Sequence, residues 1–256
     1  MQAPDELRAA FEDHLATVRF HPDLGGLEES VRYAIAGGGK RIRPVVCLAT
    51  AEAAGGTIED ALAAATALEL VHTFSLVHDD LPAMDDDDER RGRPSTHIAF
   101  GEAVGILAGD ALLAEALRIS LAYSSPAVAL ELVSATVGMI GGQFLDIASA
   151  DVDLAVLHRL KTGRLFAAAV GLGLTTARLP EDRQLPWRSF GDELGLLFQA
   201  VDDVLDGDGY AERLGVDAAR QVAIAAAGRA KASLTAAGGD TGVLAQIVDE
   251  LVHRTT

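Results

Sequence analysis

Seven carboxylates fall within the eleven residues from Asp79 to Glu89, and Arg90, Arg91 and Arg93 follow at once. Two like charges about 4 Å apart repel by roughly 4 kcal/mol at an effective dielectric of 20, so a folded chain keeps such a run either in water or around a cation. A solvated loop is the commoner case for charge runs. The segment leading in argues for the cation. Ala67 to His78 is largely apolar, so a buried helix delivers Asp79 and Asp80, and Pro82, which has no N–H to give, breaks it. Carboxylates at the inner mouth of a core helix point to a metal site.

A second acidic cluster lies far downstream, in Phe198-Gln199-Ala200-Val201-Asp202-Asp203-Val204-Leu205-Asp206. Asp202 and Asp206 are four apart and share one helix face; Asp203 lies a little round the helix, and Phe198, Val201 and Leu205 supply an apolar face. Alone, this run also fits an exposed acidic helix end. Set beside Asp79 and Asp80, it suggests two helices presenting acids from opposite sides of a cavity. Hard oxygen ligands with room for water suit Mg²⁺, and shared Mg²⁺ suits a diphosphate.

The elements that must hold these acids read as helices. The chain is rich in Ala, Leu and Val and poor in aromatics; Ala and Leu are strong helix formers, and strand-like alternation is scarce. The pattern predicts an all-α fold, a bundle of about ten to thirteen helices around a central cavity, in one domain over 1–256. Helices are expected over 5–18, 26–36, from about 40 to Gly55, 58–80, 102–123, 127–148, 153–175, 187–206, 215–236 and 242–254. Breaks are expected at Gly37-Gly38-Gly39, Ser124-Ser125-Pro126, Asp151, Pro180 to Pro186 and Gly207 to Gly209. Thr57 with Asp60 resembles a capping box, Asp standing in for Glu.

With 256 residues the chain can bury a substantial core. Its net charge of −17 argues against a nucleic-acid surface and against docking on an anionic membrane. One cysteine, Cys47, allows no intrachain disulfide and fits a reducing, cytoplasmic setting. Met1 to Leu15 shows no apolar h-region, so no signal peptide is expected. The longest uncharged run, between Glu131 and Asp146, is shorter than the about 20 residues a bilayer span needs, so no membrane insertion is expected. Arginine carries nearly all the positive charge, and the only lysines are Lys40, Lys161 and Lys231.

Five motifs in order give the chain a resemblance to the short-chain trans-isoprenyl diphosphate synthases, of the bacterial farnesyl diphosphate synthase type. Gly38-Gly39-Lys40-Arg41-Ile42-Arg43-Pro44 resembles the family's first basic motif. His72 to Arg93 resembles its first aspartate-rich motif, in the form with two extra residues between the Asp pair and the next Asp. Gly141-Gly142-Gln143, Lys161-Thr162-Gly163 and Phe198 to Asp206 resemble three further motifs. The resemblance covers about residues 26 to 210. It implies head-to-tail joining of isopentenyl diphosphate to an allylic diphosphate, dimethylallyl or geranyl. It also implies three Mg²⁺ held by Asp79, Asp80 and Asp85 on one side and by Asp202, with Asp203 and Asp206, on the other. Arg90 and Lys161 would contact the allylic diphosphate, and Lys40, Arg43, His72 and Arg91 the other diphosphate, by charge-assisted hydrogen bonds. Thr162, Gln199 and Gln143 would face the carbocation, though helix–helix hydrogen bonding explains them as well, and Asp146 would support the metals. A homodimer is also implied.

The isoprenoid tail would run down the helix that ends in Asp79. Ser75 lies one turn below that acid and Phe74 one residue lower, roughly 7 Å at 1.5 Å per residue. In the family an aromatic at the Phe74 position favours the C15 product, so farnesyl diphosphate is expected over the C20 geranylgeranyl diphosphate. The chain departs from the family after Asp206, where Gly207 to Gly215 is short and has no lysine; Arg213 is the nearest substitute cation. Two rival readings are a class I terpene cyclase and a non-catalytic partner subunit of a synthase. The cyclase would normally carry Asn or Asp, then Ser or Thr, then Glu in its second metal motif; this chain has no Asn, and Asp206 stands at the Ser/Thr place. A partner subunit would usually have lost one Asp motif.

Overall fold

The computed structural model describes residues 2–148 and 153–254. The expected break at Asp151 lies outside the described residues. Thirteen α-helices are present among them: α1 Pro4–Thr17, α2 Leu27–Ala36, α3 Ile42–Ala53, α4 Ile58–Asp79, α5 Thr96–Phe100, α6 Glu102–Ser120, α7 Ala127–Ala148, α8 Leu154–His158, α9 Arg164–Thr176, α10 Leu185–Asp206, α11 Gly209–Leu214, α12 Val216–Ala237 and α13 Gly242–His253. The all-α reading holds. The one small exception is a two-stranded antiparallel hairpin, β1 Glu89–Arg90 and β2 Arg93–Pro94, in register Arg90 to Arg93.

The site hangs on α4. Thr57 caps it, its Oγ1 accepting the Asp60 N–H at 3.2 Å. From Ala64 to Val71 every residue is buried, because the helix has no polar face and packs against α3, α6 and α9. It ends at Asp79. The acidic loop then folds back over its last carbonyls: the Leu81 N–H donates to His78 O at 3.2 Å, Asp85 N–H to Asp79 O at 2.9 Å and Asp87 N–H to Asp80 O at 3.2 Å. The acids that follow are therefore held in an ordered turn, which satisfies the C-terminal carbonyls that a helix leaves unpaired.

Opposite α4, α10 packs on α9 and α12. It starts at Leu185, two residues earlier than expected, because Pro186 sits in its first turn, where the missing N–H costs nothing. The expected helix over 153–175 is present as one continuous run from Leu154 to Thr176, made of α8, a π-helical turn Arg159–Gly163 and α9. Single π turns inside helices concentrate at functional positions, and this one carries Lys161 and Thr162. The expected helix over 102–123 stops at Ser120. The stretch after Asp206, expected as a loop, forms α11, entered through Gly207 at φ +78°.

Two helices, Ile58–Asp79 and Ala127–Ala148, are long and apolar enough to cross a membrane by length and composition, a property that core helices of soluble proteins share. The apolar window of α4 is 67% buried inside the protein and is a core helix; that of α7 is 39% buried. One contiguous apolar core runs from Leu7 on α1 to Leu251 on α13.

Candidate active site

A cavity of about 910 Å³ opens between α3, α4, α7, the π turn and α10. Lys40, Arg43, His72, Phe74, Ser75, Asp79, Arg91, Lys161, Thr162 and Asp202 all line it. Both acid clusters thus present a carboxylate to one space. Asp80, Asp85, Arg90, Gln199, Asp203 and Asp206 are not among its described lining residues.

The cavity-facing acids share one electrostatic state. Asp79 is pushed up to about 6 by burial, with Lys161 opposing and Asp85 and Asp80 adding repulsion. Asp202 is likewise pushed up to about 6, first by burial and then by Asp206, with Lys40 and Arg43 opposing. Their neighbours are turned elsewhere. Asp80 is 3% exposed and accepts Arg90 Nε at 2.9 Å, while Arg90 Nη2 also reaches Asp87 at 2.9 Å. Asp203 is 1% exposed and accepts Gln199 Nε2 at 2.7 Å and the Tyr210 N–H at 2.8 Å. Asp85 and Asp206 are exposed.

The basic wall is built by α3 and α4. Gly38 and Gly39, at φ +74° and +127°, turn the chain into α3. A Cβ at Gly39 would also meet the Arg91 guanidinium and displace it from the position in which it donates to Gly38 O. Arg43 is buried, 4.6 Å over the Phe166 ring and 5.7 Å from that of Phe198; its Nε has no partner, and burial lowers it to about 10. Its Nη1 lies 3.3 Å from His72 Nε2. An arginine only donates, so His72 accepts through Nε2 and carries its proton on Nδ1. Burial, then Arg43 and Arg91, holds that imidazole well below its usual value and therefore neutral. A buried cation with an idle N–H, beside a neutral imidazole and Lys40, is a ready cradle for an anion.

Sequence reasoning missed the brace behind this wall. Arg41, at φ +47°, points inward and bonds Glu69 at 2.7 Å, Glu12 at 2.8 Å and Ile35 O at 2.8 Å. Glu69 is 3% exposed, and burial raises it, with Arg41 opposing. A single acid between Leu68 and Leu70, three residues before His72, was the available signal.

On the third wall, Gly142 lets α7 close on the π turn, since a Cβ there would fall on the Lys161 backbone, whereas Gly141 meets nothing within 4 Å. Lys161 pairs with Asp146. Thr162 Oγ1 donates to Gln199 Oε1 at 2.6 Å. Both amide atoms of Gln143 are buried without partners, and the residue lines the cavity. Deeper in, Phe74 packs edge-on against His78 at 5.0 Å, with Met139 and Ile140 of α7 across the space.

Among the described residues no three carboxylates or imidazoles are already gathered around one point. The donors nonetheless suit Mg²⁺. They are hard oxygens, and two are destabilised as anions by burial and by each other, which a divalent cation would relieve. Mg²⁺ keeps several waters and takes one or two carboxylates together with phosphate oxygens, so it needs no ready-made protein cage.

Residues 25–223 match the model of the family described as polyprenyl synthetase. The chain belongs to the polyprenyl synthetase family. It is 45% identical over 203 residues to a geranylgeranyl diphosphate synthase of Cyanophora paradoxa, covering 73% of this chain and 67% of that one. It is 40% identical over 204 residues to the farnesyl diphosphate synthase of Bacillus subtilis (strain 168), covering 74% and 69%. It is 42% identical over 214 residues to a chloroplastic geranylgeranyl pyrophosphate synthase of Arabidopsis thaliana, covering 77% of this chain and 59% of that one. Among solved structures, a geranyltransferase from Legionella pneumophila superposes with a TM-score of 0.86 at 32% identity, covering 98% of this chain and 96% of that one. An FPP/GFPP synthase from Zymomonas mobilis gives 0.83 at 35%, covering 97% and 95%. The polyprenyl synthetase fold is the isoprenoid synthase fold of these trans-prenyltransferases.

Proposed function

We propose that this polyprenyl synthetase is a short-chain synthase that condenses isopentenyl diphosphate head-to-tail with dimethylallyl or geranyl diphosphate, giving farnesyl diphosphate. The observation that carries the reading is the shared cavity: Asp79 and Asp202 open onto the same space as Lys40, Arg43, His72 and Arg91. A terpene cyclase has no use for that second anion cradle, and a non-catalytic subunit has no use for both acids.

Asp79, Asp80 and Asp85 would hold magnesium on one side and Asp202 and Asp206 on the other, three ions in all, and the metal would supply charge neutralisation for the departing diphosphate. Lys161, beside Asp79, and Arg90 would take the remaining negative charge of the allylic group. Lys40, Arg43, His72 and Arg91 would bind isopentenyl diphosphate and orient its π-bond toward the ionising carbon. Thr162 would face that carbon. The proton lost at the end would leave on the departed diphosphate, so no side chain need act as base. Phe74, buried below Ser75, closes the tail space and favours C15. The preponderance of geranylgeranyl names among the relatives favours a second reading, the C20 product.

The homodimer is proposed on α7. Leu130, Val133, Val137, Ile140, Phe144 and Ile147 are exposed at alternating spacings of three and four, the seam of two helices packed side by side; the last three also border the cavity. Purified protein with Mg²⁺, dimethylallyl diphosphate and labelled isopentenyl diphosphate should yield an acid-labile C15 diphosphate, lost on chelation. No prenyl product, or product unaffected by chelation, overturns the reading.

A further inference from the structure

Both carboxylate oxygens of Asp203 are occupied by obligate donors. Oδ2 accepts the Tyr210 N–H at 2.8 Å and Oδ1 the Gln199 amide at 2.7 Å. Gly209, at φ +49°, wraps so closely that a Cβ would fall on the carboxylate, and His158 Nδ1, itself unpartnered, lies 3.8 Å from Oδ2. The His158 ring in turn stands edge-on to Tyr210 at 4.9 Å. Asp203 is thereby enclosed by α8, α10 and the start of α11, and it is the one acid of its cluster whose coordinating atoms are all engaged.

We propose that Asp203 is a positioning residue: through Gln199 it fixes the Thr162 hydroxyl with its proton turned away from the cavity and its lone pairs turned in. The proposal rests on the prenyl-transfer reading and departs from a metal-ligand role for this acid. Hydrogen-bond direction carries it. A carboxylate has no proton to give, so Gln199 must turn its NH₂ to Asp203 and its carbonyl to Thr162. Thr162 has one proton and donates it to that carbonyl at 2.6 Å. What the hydroxyl then offers to the cavity it lines is oxygen alone. As diphosphate leaves an allylic carbon, positive charge develops, and a fixed oxygen dipole there lowers the barrier where an O–H aimed at the carbon would raise it.

The isosteric change Asp203→Asn reverses the chain. The Tyr210 N–H still demands an oxygen, so the new amide must place its NH₂ toward Gln199. Gln199 turns over, its own NH₂ meets Thr162, and the threonine proton is released toward the cavity. The test compares wild type, Asp203→Asn, Thr162→Val and the double variant. Turnover and KM for the allylic diphosphate are measured, and Mn²⁺ affinity is measured by electron paramagnetic resonance without turnover.

Asp203→Asn should lower kcat by about tenfold or more, less than the ~10²–10³ seen when a direct transition-state contact is removed. KM should stay within about threefold and Mn²⁺ affinity at the wild-type value. The double variant should match Thr162→Val, because with the hydroxyl gone the relay has nothing to orient. Weakened Mn²⁺ binding, additive losses, or an unchanged kcat each overturns the proposal. Should Asp203→Asn fold poorly, Gln199→Leu cuts the same relay and leaves the Tyr210 bond in place; it must show the same loss and the same non-additivity, or the proposal fails. If wild type makes no prenyl product, the function reading falls, while the Mn²⁺ comparison still decides whether Asp203 is a ligand.

Discussion

The two aspartate pairs are built alike and anchored differently. In each, the first acid looks into the cavity and is pushed up to about 6, and the second is buried behind it. Asp80 is anchored by a permanent cation, Arg90, which also holds Asp87 and so fastens the acidic loop to the end of α4. Asp203 is anchored by neutral donors, a side-chain amide and a backbone N–H. The upstream pair is thus a charged knot that fixes a loop. In the downstream pair a buried carboxylate held by neutral donors starts a chain of hydrogen bonds that leads to Thr162. One turn lower the helices differ again. Below Asp79, Ser75 and Phe74 line the cavity; below Asp202, Phe198 lines it too, but it is packed on Phe166 at 4.7 Å and stands beside Arg43. On the proposed reading, a tail would run along α4, past Ser75 and Phe74.

The comparison breaks most readily at the first acids. Asp79→Asn and Asp202→Asn should each cut kcat by about a thousandfold or more, since on the proposed reading each removes a negative oxygen that would hold magnesium against the departing diphosphate. A variant that keeps over a tenth of wild-type turnover would show that its acid does not face the metals. A smaller effect sharpens the asymmetry below the pairs. Phe74→Ala should move the main product from C15 to C20 with turnover changed only severalfold, whereas Phe198→Ala, at a half-buried aromatic, should lower stability by less than the about 3–5 kcal/mol of a fully buried one, without lengthening the product. Chromatography of the dephosphorylated products decides it, and unchanged C15 from Phe74→Ala removes that residue from the pocket floor.

Much of this was legible because helices make spacing into geometry. Asp202 and Asp206 four apart, Ser75 four below Asp79, and apolar runs leading into both clusters all follow from 3.6 residues per turn. What spacing leaves open is which way an adjacent residue faces once other helices arrive. Asp203 is about 100° round from Asp202, and the Tyr210 N–H that bonds it and the His158 Nδ1 at 3.8 Å come from two other elements. Asp80 and Arg90 are ten residues apart and meet only because the loop folds back on α4. The π turn at Lys161 and α11 after Asp206 escaped for a related reason: both are set by packing, through Gly142 against Lys161 and Asp203 against Gly209. Glu69 was visible as a lone acid in an apolar helix, though its partner, Arg41, was not.

The smallest effect is on the stability of the metal-free protein, and its sign follows from linkage. Asp79 and Asp202 each hold a proton more tightly when folded, at about 6, than in the unfolded chain near the ordinary value of 3.8. At low pH, with both states protonated, neither acid costs anything. As pH rises from about 4 to 6 the unfolded chain sheds these protons first, and above 6 the folded state carries the whole penalty of two half-buried charges. Asp79→Asn and Asp202→Asn remove that penalty. Without metal, each should therefore melt higher than wild type at pH 7.5, by about 2–4 °C for every kcal/mol relieved in a domain of this size. The gain should fade toward pH 4. Mg²⁺ with inorganic diphosphate should raise the wild-type melting temperature more at pH 7.5 than at pH 5 and should do little for the double variant. A gain that does not vary with pH would mean that the asparagines improve packing rather than relieve charge, and lower melting at pH 7.5 would mean that the two carboxylates are satisfied where they stand, without a cation.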